Sequence, residues 1–457
     1  MNERDIEQDL LDFFSRSATP EPSVRLRAAV SGARVAPAGR AATFRAHRTL
    51  FSLAGLAATF VIAVASLLVV VNVRRTSPPA TVAACSTAPA VDRPSSVPTA
   101  SSPAQGGTFT STGSMATGRA GFTATLLCDG RVLVAGGISG SPLSTFLASA
   151  EVYNPATGAF APTGAMAAAR QGATATRLRD GRVMVAGGID ASGEALSSAE
   201  LYDPTTGTFS ATGSMTAPRL GQSAVLLTDG RVLIAGGGTD AKTAASAELY
   251  DPATGTFSLT GSMTGIRSGV PSTLLADGRV LIAGGDTSAD GIPLPTAELY
   301  DPKTGTFSRT GPTLTPLISQ TATLLSDGRV LMAGGGGTSG VTSAAEVYDP
   351  ATGKFSATGS MTLGRVSHIA TPLPDGLVLI AGGSTLDASG GNTSTTATVE
   401  LYSPKTGLFS ATGSMSTARA FQTATVLPDG RVLIVGGEDT DSAGKSAALA
   451  SAELYQP

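Results

Sequence analysis

DGRVLIAGG, residues 229–237, decides how this chain folds, because the chain writes it seven times. Close copies begin at Asp129, Asp180, Asp277, Asp327, Asp375 and Asp429, the copy at Asp375 with Leu377 in place of arginine. Successive Asp-Gly pairs lie 51, 49, 48, 50, 48 and 54 residues apart. A period near 50 marks a propeller, a solenoid or an array. Within one unit, FTATLLC (122–128) alternates as a strand does. Asp129-Gly130 then reads as a two-residue hairpin turn with positive φ at both central positions. RVLVAGG (131–137) is a continuous apolar run, which suits a strand covered on both faces. ASAEVYNP (148–155) supplies a third strand, ATG a turn, and AFAPTG (159–164) a fourth. Such a four-stranded meander cannot cover both of its faces alone. Seven of them packed face to face around an axis can, which predicts an all-β, seven-bladed propeller of antiparallel blades.

The aromatic residues follow the same period. All seven tyrosines fall in third strands, from Tyr153 to Tyr455, and a phenylalanine opens each fourth strand, from Phe109 to Phe409. Cross-strand Tyr–Phe pairs are expected to fill the space between blades. The repeat begins with a lone fourth strand, TFTSTGSM (108–115), and ends after a third strand, SAELYQP (451–457). The first strand is therefore expected to complete the last blade and close the ring over residues 107–457, leaving no open edge.

A hydrophobic run ending in Gly-Gly, followed by Glu-x-Tyr-Asp-Pro-x-Thr-Gly-x-aromatic, resembles the repeat of kelch and galactose-oxidase-like β-propellers, and does so over residues 107–457. One departure is systematic: the aromatic that is usually Trp in that family is Phe here. For the copper-radical oxidases of the family, the resemblance implies a metal held by two tyrosines and two histidines. This chain has His47 near its start and only His368 in the repeats. No cofactor, no metal and no catalytic residue is expected on that basis. DTDSAG (439–444) is a poor calcium loop, with Ala450 where the twelfth-position glutamate belongs.

Ten residues before each DG aspartate stands an arginine: Arg119, Arg170, Arg219, Arg267, Arg365 and Arg419, with Leu317 in the fifth unit. The position opens the innermost strand, so these side chains are expected near one mouth of the central channel. In some kelch-type adaptors, arginines at this place read acidic peptides, and the resemblance implies a similar binding ring. The alternative is internal. Each third strand carries one glutamate, Glu151 through Glu453, and arginine can bridge to it or to backbone carbonyls. Three residues on, the copies disagree: Phe122, Ala173, Gln222, Val270, Gln320, His368 and Gln422. Variable positions on a repeated frame are where a specific site is built, so Gln222, Gln320, His368 and Gln422 join the candidate mouth. The loops after each Gly-Gly vary too, from GGGTDAKTA (236–244) to GGSTLDASGGNTSTT (382–396).

The rest of the chain is different in kind. Residues 1–75 carry 10 arginines and 6 acids, whereas 106–457 carry 20 basic and 27 acidic residues. An acidic repeat region argues against nucleic acid as a partner. Residues 49–73, TLFSLAGLAATFVIAVASLLVVVNV, hold no charge, and roughly 20 such residues span a bilayer as a helix. A transmembrane helix is expected there. Arg34, Arg40, Arg45 and Arg48 outnumber Arg74 and Arg75 beside it, which keeps residues 1–48 in the cytoplasm and puts the repeats in the periplasm or outside the cell. In 1–48, ERDIEQDLLDFFSR has helical amphipathic spacing and suits either a membrane surface or a cytoplasmic partner. Residues 74–106, rich in Pro, Ser and Thr, read as an extended linker. Two cysteines, Cys85 and Cys128, make no disulfide framework, and no bridge between them is expected. The sequence points to a membrane-anchored, non-catalytic module that binds a protein or glycan, with a carbohydrate-active enzyme as the alternative.

Overall fold

The structure is a computed structural model that describes residues 106–287, 292–386, 393–440 and 444–457. The expected cytoplasmic segment 1–48, spanning helix 49–73 and most of the linker lie outside the described residues. Among the described residues no helix is long and apolar enough to cross a membrane.

Seven four-stranded antiparallel sheets form the blades. Blade 1 runs outward through Thr123–Leu126, Val132–Ala135, Ala150–Asn154 and Ala159–Pro162. Blades 2 to 6 repeat that order. Blade 7 is composite: Thr108–Ser111 pairs with Ala452–Gln456, the third strand of the last unit, with Phe109 opposite Tyr455. The chain therefore closes its own ring, as its phase predicts. The inner strands of neighbouring blades lie side by side all the way round, blade 7 against blade 1 included.

The second strands explain the repeated nine residues. Val132–Ala135 and its six counterparts are buried at every position. One face packs on the blade before and the other on the blade after. Among the described residues seven hydrophobic clusters form, and each joins two adjacent blades. Each tyrosine packs against its cross-strand phenylalanine at 4.8–5.0 Å between ring centroids, with the ring planes tilted by 48–52°. Its hydroxyl bonds a threonine that follows the outer strand of the preceding blade, as in Tyr153–Thr112 at 2.8 Å and Tyr202–Thr163 at 2.9 Å. Burying the ring and satisfying the hydroxyl together make tyrosine suited to this position.

The DG turn differs from expectation. Gly130 has φ +84°, but Asp129 is not among the residues with positive φ. Gly130 N–H donates to Leu127 O, and Leu127 N–H to Arg131 O. The connection is thus a three-residue loop with one left-handed glycine, not a two-residue turn with two. The aspartate instead pins the residue after the turn. Its carboxylate accepts from Arg131 N–H at 3.0 Å and from Arg131 Nε at 2.7 Å. Cys128, in the same loop, is disulfide-bonded, which corrects the expectation of an unbridged thiol.

Candidate functional site

The six arginines expected at the channel mouth lie inside the blades, each 1% exposed or less. Arg119 shows the pattern. Nη1 donates to Gly136 O at 3.0 Å and to Ser149 O at 2.9 Å. Nη2 donates to Glu151 Oε1 at 3.0 Å. The glutamate's second oxygen accepts from Ala116 N–H at 2.8 Å, on the strap that arrives from the blade before. Arginine and glutamate thus form a clasp that ties the strap and the Gly-Gly corner to the third strand. The same clasp recurs at Arg170–Glu200, Arg219–Glu248, Arg267–Glu298, Arg365–Glu400 and Arg419–Glu453, at 2.7–3.0 Å. Burial lowers the pKa of Arg119, Arg170, Arg365 and Arg419, and the paired carboxylates oppose that shift. A buried guanidinium needs this much compensation, since an unpaired buried charge costs several kcal/mol. The structure therefore corrects the placement of these six at the mouth: their guanidiniums point into the blades and bridge glutamate and backbone carbonyls, the internal alternative.

The four variable residues are also buried, as wedges against the preceding blade. Gln222 Nε2 donates to Ala186 O and Gln422 Nε2 to Ala381 O, both at 2.9 Å. Gln320 takes the same place with its amide nitrogen unpartnered. His368 is fully buried, with Nε2 3.2 Å from Thr321 Oγ1 and Nδ1 without a partner. Burial, reinforced by the Arg365 charge, pushes its pKa down to about 3, so it is neutral at physiological pH. The first glycine of the preceding Gly-Gly makes room for each wedge. A Cβ on Gly187 would stand 2.3 Å from Gln222 Nε2, and one on Gly334 2.7 Å from His368 Cε1. The structure brings none of these polar groups together around an open channel.

Two features of this end were not anticipated. Eight residues before each DG aspartate the backbone is left-handed in every blade, with φ between +54° and +69°. Glycine fills the position in blades 1 to 4, but Ser319, Ser367 and Phe421 fill it in blades 5 to 7. Gly172 N–H donates to Gly121 O, Gly269 to Gly221, Phe421 to Ser367, and Gly121 to Phe421, at 2.9–3.4 Å. These bonds run from blade to blade around the channel. The recurrence of glycine at 121, 172, 221 and 269 was the sequence signal for this annulus. Non-glycine residues in left-handed backbone cost roughly 1 kcal/mol or more each and gather where a function demands them.

Above the annulus stands an uneven wall. After Gly-Gly, blade 1 raises the hairpin Ile138–Gly140/Leu143–Phe146, and blade 5 raises Gly336–Gly337/Gly340–Val341. Blade 6 raises Ser384–Leu386/Thr393–Thr395, and blade 7 Glu438–Thr440/Ser446–Ala448. These four lie side by side in the order 5, 6, 7, 1. Thr395 Oγ1 donates to Asp439 Oδ1 at 2.6 Å across one joint. Blade 2 has a tight turn closed by Asp190, and blade 3 a short helix, Ala241–Ala245, capped by Asp240. The wall and the strained residues occupy the same sector. At the foot of the wall, burial raises the Glu438 carboxyl to about 7, with Thr440 Oγ1 at 3.4 Å.

The Kelch motif matches residues 119–166 and 176–216. No curated protein sequence matches the chain. Among solved structures, a fungal alcohol oxidase of the AA5 family in complex with copper is similar in fold, at a TM-score of 0.59 and 19% identity, over 77% of this chain and 76% of that one. The residues here do not fit that metal. Among the described residues, no three His, Cys, Asp or Glu side chains gather to hold an ion, His368 is sealed in a blade interface, and every tyrosine is packed on phenylalanine. What fold and motif together establish is a seven-bladed, all-β propeller that carries the Kelch motif and shares its architecture with galactose-oxidase-like structures.

Proposed function

We propose that this chain is a non-catalytic binding module, held to a membrane by residues 49–73, whose walled propeller face takes a protein segment or a glycan outside the cytoplasm. The observation that carries the reading is the wall itself. Four hairpins follow the Gly-Gly pairs of blades 5, 6, 7 and 1 and lie side by side, which breaks the sevenfold repetition of the frame on this face. Binding residues on rigid scaffolds concentrate in such variable loops. The disulfide at Cys128 suits an oxidising compartment.

The test replaces residues 384–395 with the shorter 189–195 of blade 2, which spans an equivalent pair of anchors: Leu196 N–H to Gly188 O, and Thr396 N–H to Gly383 O. Wild-type and swapped propellers are probed against a glycan array and against secreted and envelope proteins. Capture of a defined partner that the swap abolishes, with thermal unfolding unchanged, supports the reading. Capture that survives swaps of the longer hairpins of blades 1, 6 and 7 refutes it. Turnover of a captured glycan would favour the carbohydrate-active alternative.

A further inference from the structure

Blade 5 keeps the socket of the clasp and lacks its arginine. Leu317 stands where the other six blades place a guanidinium. Glu346 remains on the third strand, 6% exposed, and its Oε2 still accepts from the strap, at Leu314 N–H, 2.7 Å away. Its Oε1, the atom that takes the guanidinium elsewhere, has no partner. Burial with no opposing positive charge raises this carboxyl to about 7. Gly334 O is the counterpart of the carbonyl that accepts from Arg119 Nη1, and Leu317, 5% exposed, stands at the position of the missing donor. The strap is also more exposed here. Residues 314–316 are all exposed, a run that no other strap shows, and Leu314 presents 54% of its surface.

We propose that this vacated clasp is a binding site for an alkylguanidinium, the arginine side chain of a partner protein. The six intact blades are the internal evidence for the chemistry. A carboxylate oxygen and a glycine carbonyl, set by the same backbone, receive a planar guanidinium six times in this molecule. All of these groups are acceptors, so the complementary ligand is a multiple donor with positive charge. A spherical ammonium cannot direct donors along two axes in one plane as a guanidinium does. The exposed Leu314 adds an apolar edge for the methylene stem. The site lies in the blade 4–5 interface, and its occupancy does not depend on the walled face being the main binding surface.

The experiment uses the full chain and ethylguanidinium chloride as the probe. Sodium chloride and tetramethylammonium chloride serve as controls at equal concentration. Melting temperature and saturation-transfer NMR are read on wild type, Glu346→Gln and Leu317→Arg. Wild type should show a saturable rise of about 2 °C and saturation transfer to the ethyl protons. Glu346→Gln retains the acceptor for Leu314 N–H but loses the charge, and should show neither effect. Leu317→Arg supplies the guanidinium from within and should melt higher without the probe and ignore it. Equal responses in wild type and Glu346→Gln overturn the proposal, as does an equal response to tetramethylammonium. No response in wild type shows a socket filled by leucine and water only, and also overturns it. If Leu317→Arg fails to fold, the comparison of wild type with Glu346→Gln by saturation transfer still decides.

Discussion

Replacing Arg219 with leucine would put in blade 3 the residue that blade 5 carries at position 317. Arg219 and Glu248 are both fully buried and meet at 2.7 Å. Nη1 also reaches Gly236 O, Thr243 O and Ser246 O at 2.9–3.3 Å. Truncating one partner of such a pair leaves a buried, uncompensated charge, and the expected loss is about 3–5 kcal/mol. The propeller has about 350 residues, and unfolding entropy near 2.1 cal/mol/K per residue gives about 0.7 kcal/mol/K. A 4 kcal/mol loss therefore lowers the melting temperature by about 5–6 °C. Calorimetry of the full chain measures it. The double variant Arg219→Leu/Glu248→Gln separates the causes. If the orphaned charge dominates, the second change restores about half of the loss. If the lost carbonyl bonds dominate, it restores nothing. A drop under 1 °C for Arg219→Leu would refute the clasp as a structural element and return the arginines to the search for a ligand site.

Glu346→Gln should stabilise the chain at pH 8 and leave it unchanged near pH 4. The carboxyl is raised from 4.5 to about 7, so the folded chain holds its proton longer. Its penalty is absent below about pH 4.5, grows as pH rises to about 7, and is then constant, reaching about 3 kcal/mol at most; urea titrations at the two pH values check this. Removing residues 107–116 should expose the edge of Ala452–Gln456 and lower the melting temperature of the whole ring by more than 10 °C, where an unchanged transition would exclude closure by that strand. Phe421→Gly should raise stability by about 1 kcal/mol and Gly121→Ala should lower it by a similar amount, since both positions need left-handed backbone; denaturant midpoints test both.

Blade number, strand order and the Tyr–Phe ladder were legible because each rests on a local pattern repeated seven times. The fate of the arginines was not, because spacing places a residue at the start of a strand without saying which way it points. A finer signal was present. Two residues before each third-strand glutamate stands Ser149, Ser198, Ser246, Thr296, Thr398 or Ser451, but Ala344 in the one unit where leucine replaces arginine. The hydroxyl and the guanidinium are lost together because Nη2 bonds that hydroxyl, as in Arg170–Ser198 at 2.8 Å. Variation that is coupled inside a unit points to an internal contact. The wall appeared in the sequence only as unequal loop lengths. That four of these loops pair into adjoining hairpins depends on their positions around the ring, which no single unit contains.

The strand that closes blade 7 has a topological consequence. Gly107 O accepts from Gly413 N–H just as Gly158 O accepts from Gly113 N–H, so Gly107 occupies the turn position of a continuous blade. Tyr455-Gln456-Pro457 and Gly107-Thr108-Phe109 match Tyr202-Asp203-Pro204 and Gly207-Thr208-Phe209, which are separated by Thr205 and Thr206 alone. Two residues inserted between Pro457 and Gly107 would rebuild that turn and make the propeller a covalent circle. Opened between any other two blades, the circle would yield circular permutants of the same ring, with the chain's entry moved to any of seven points on the rim. Which blade carries the chain's two ends, and so how far they lie from the row of hairpins, is therefore set by which joint is cut and not by the fold.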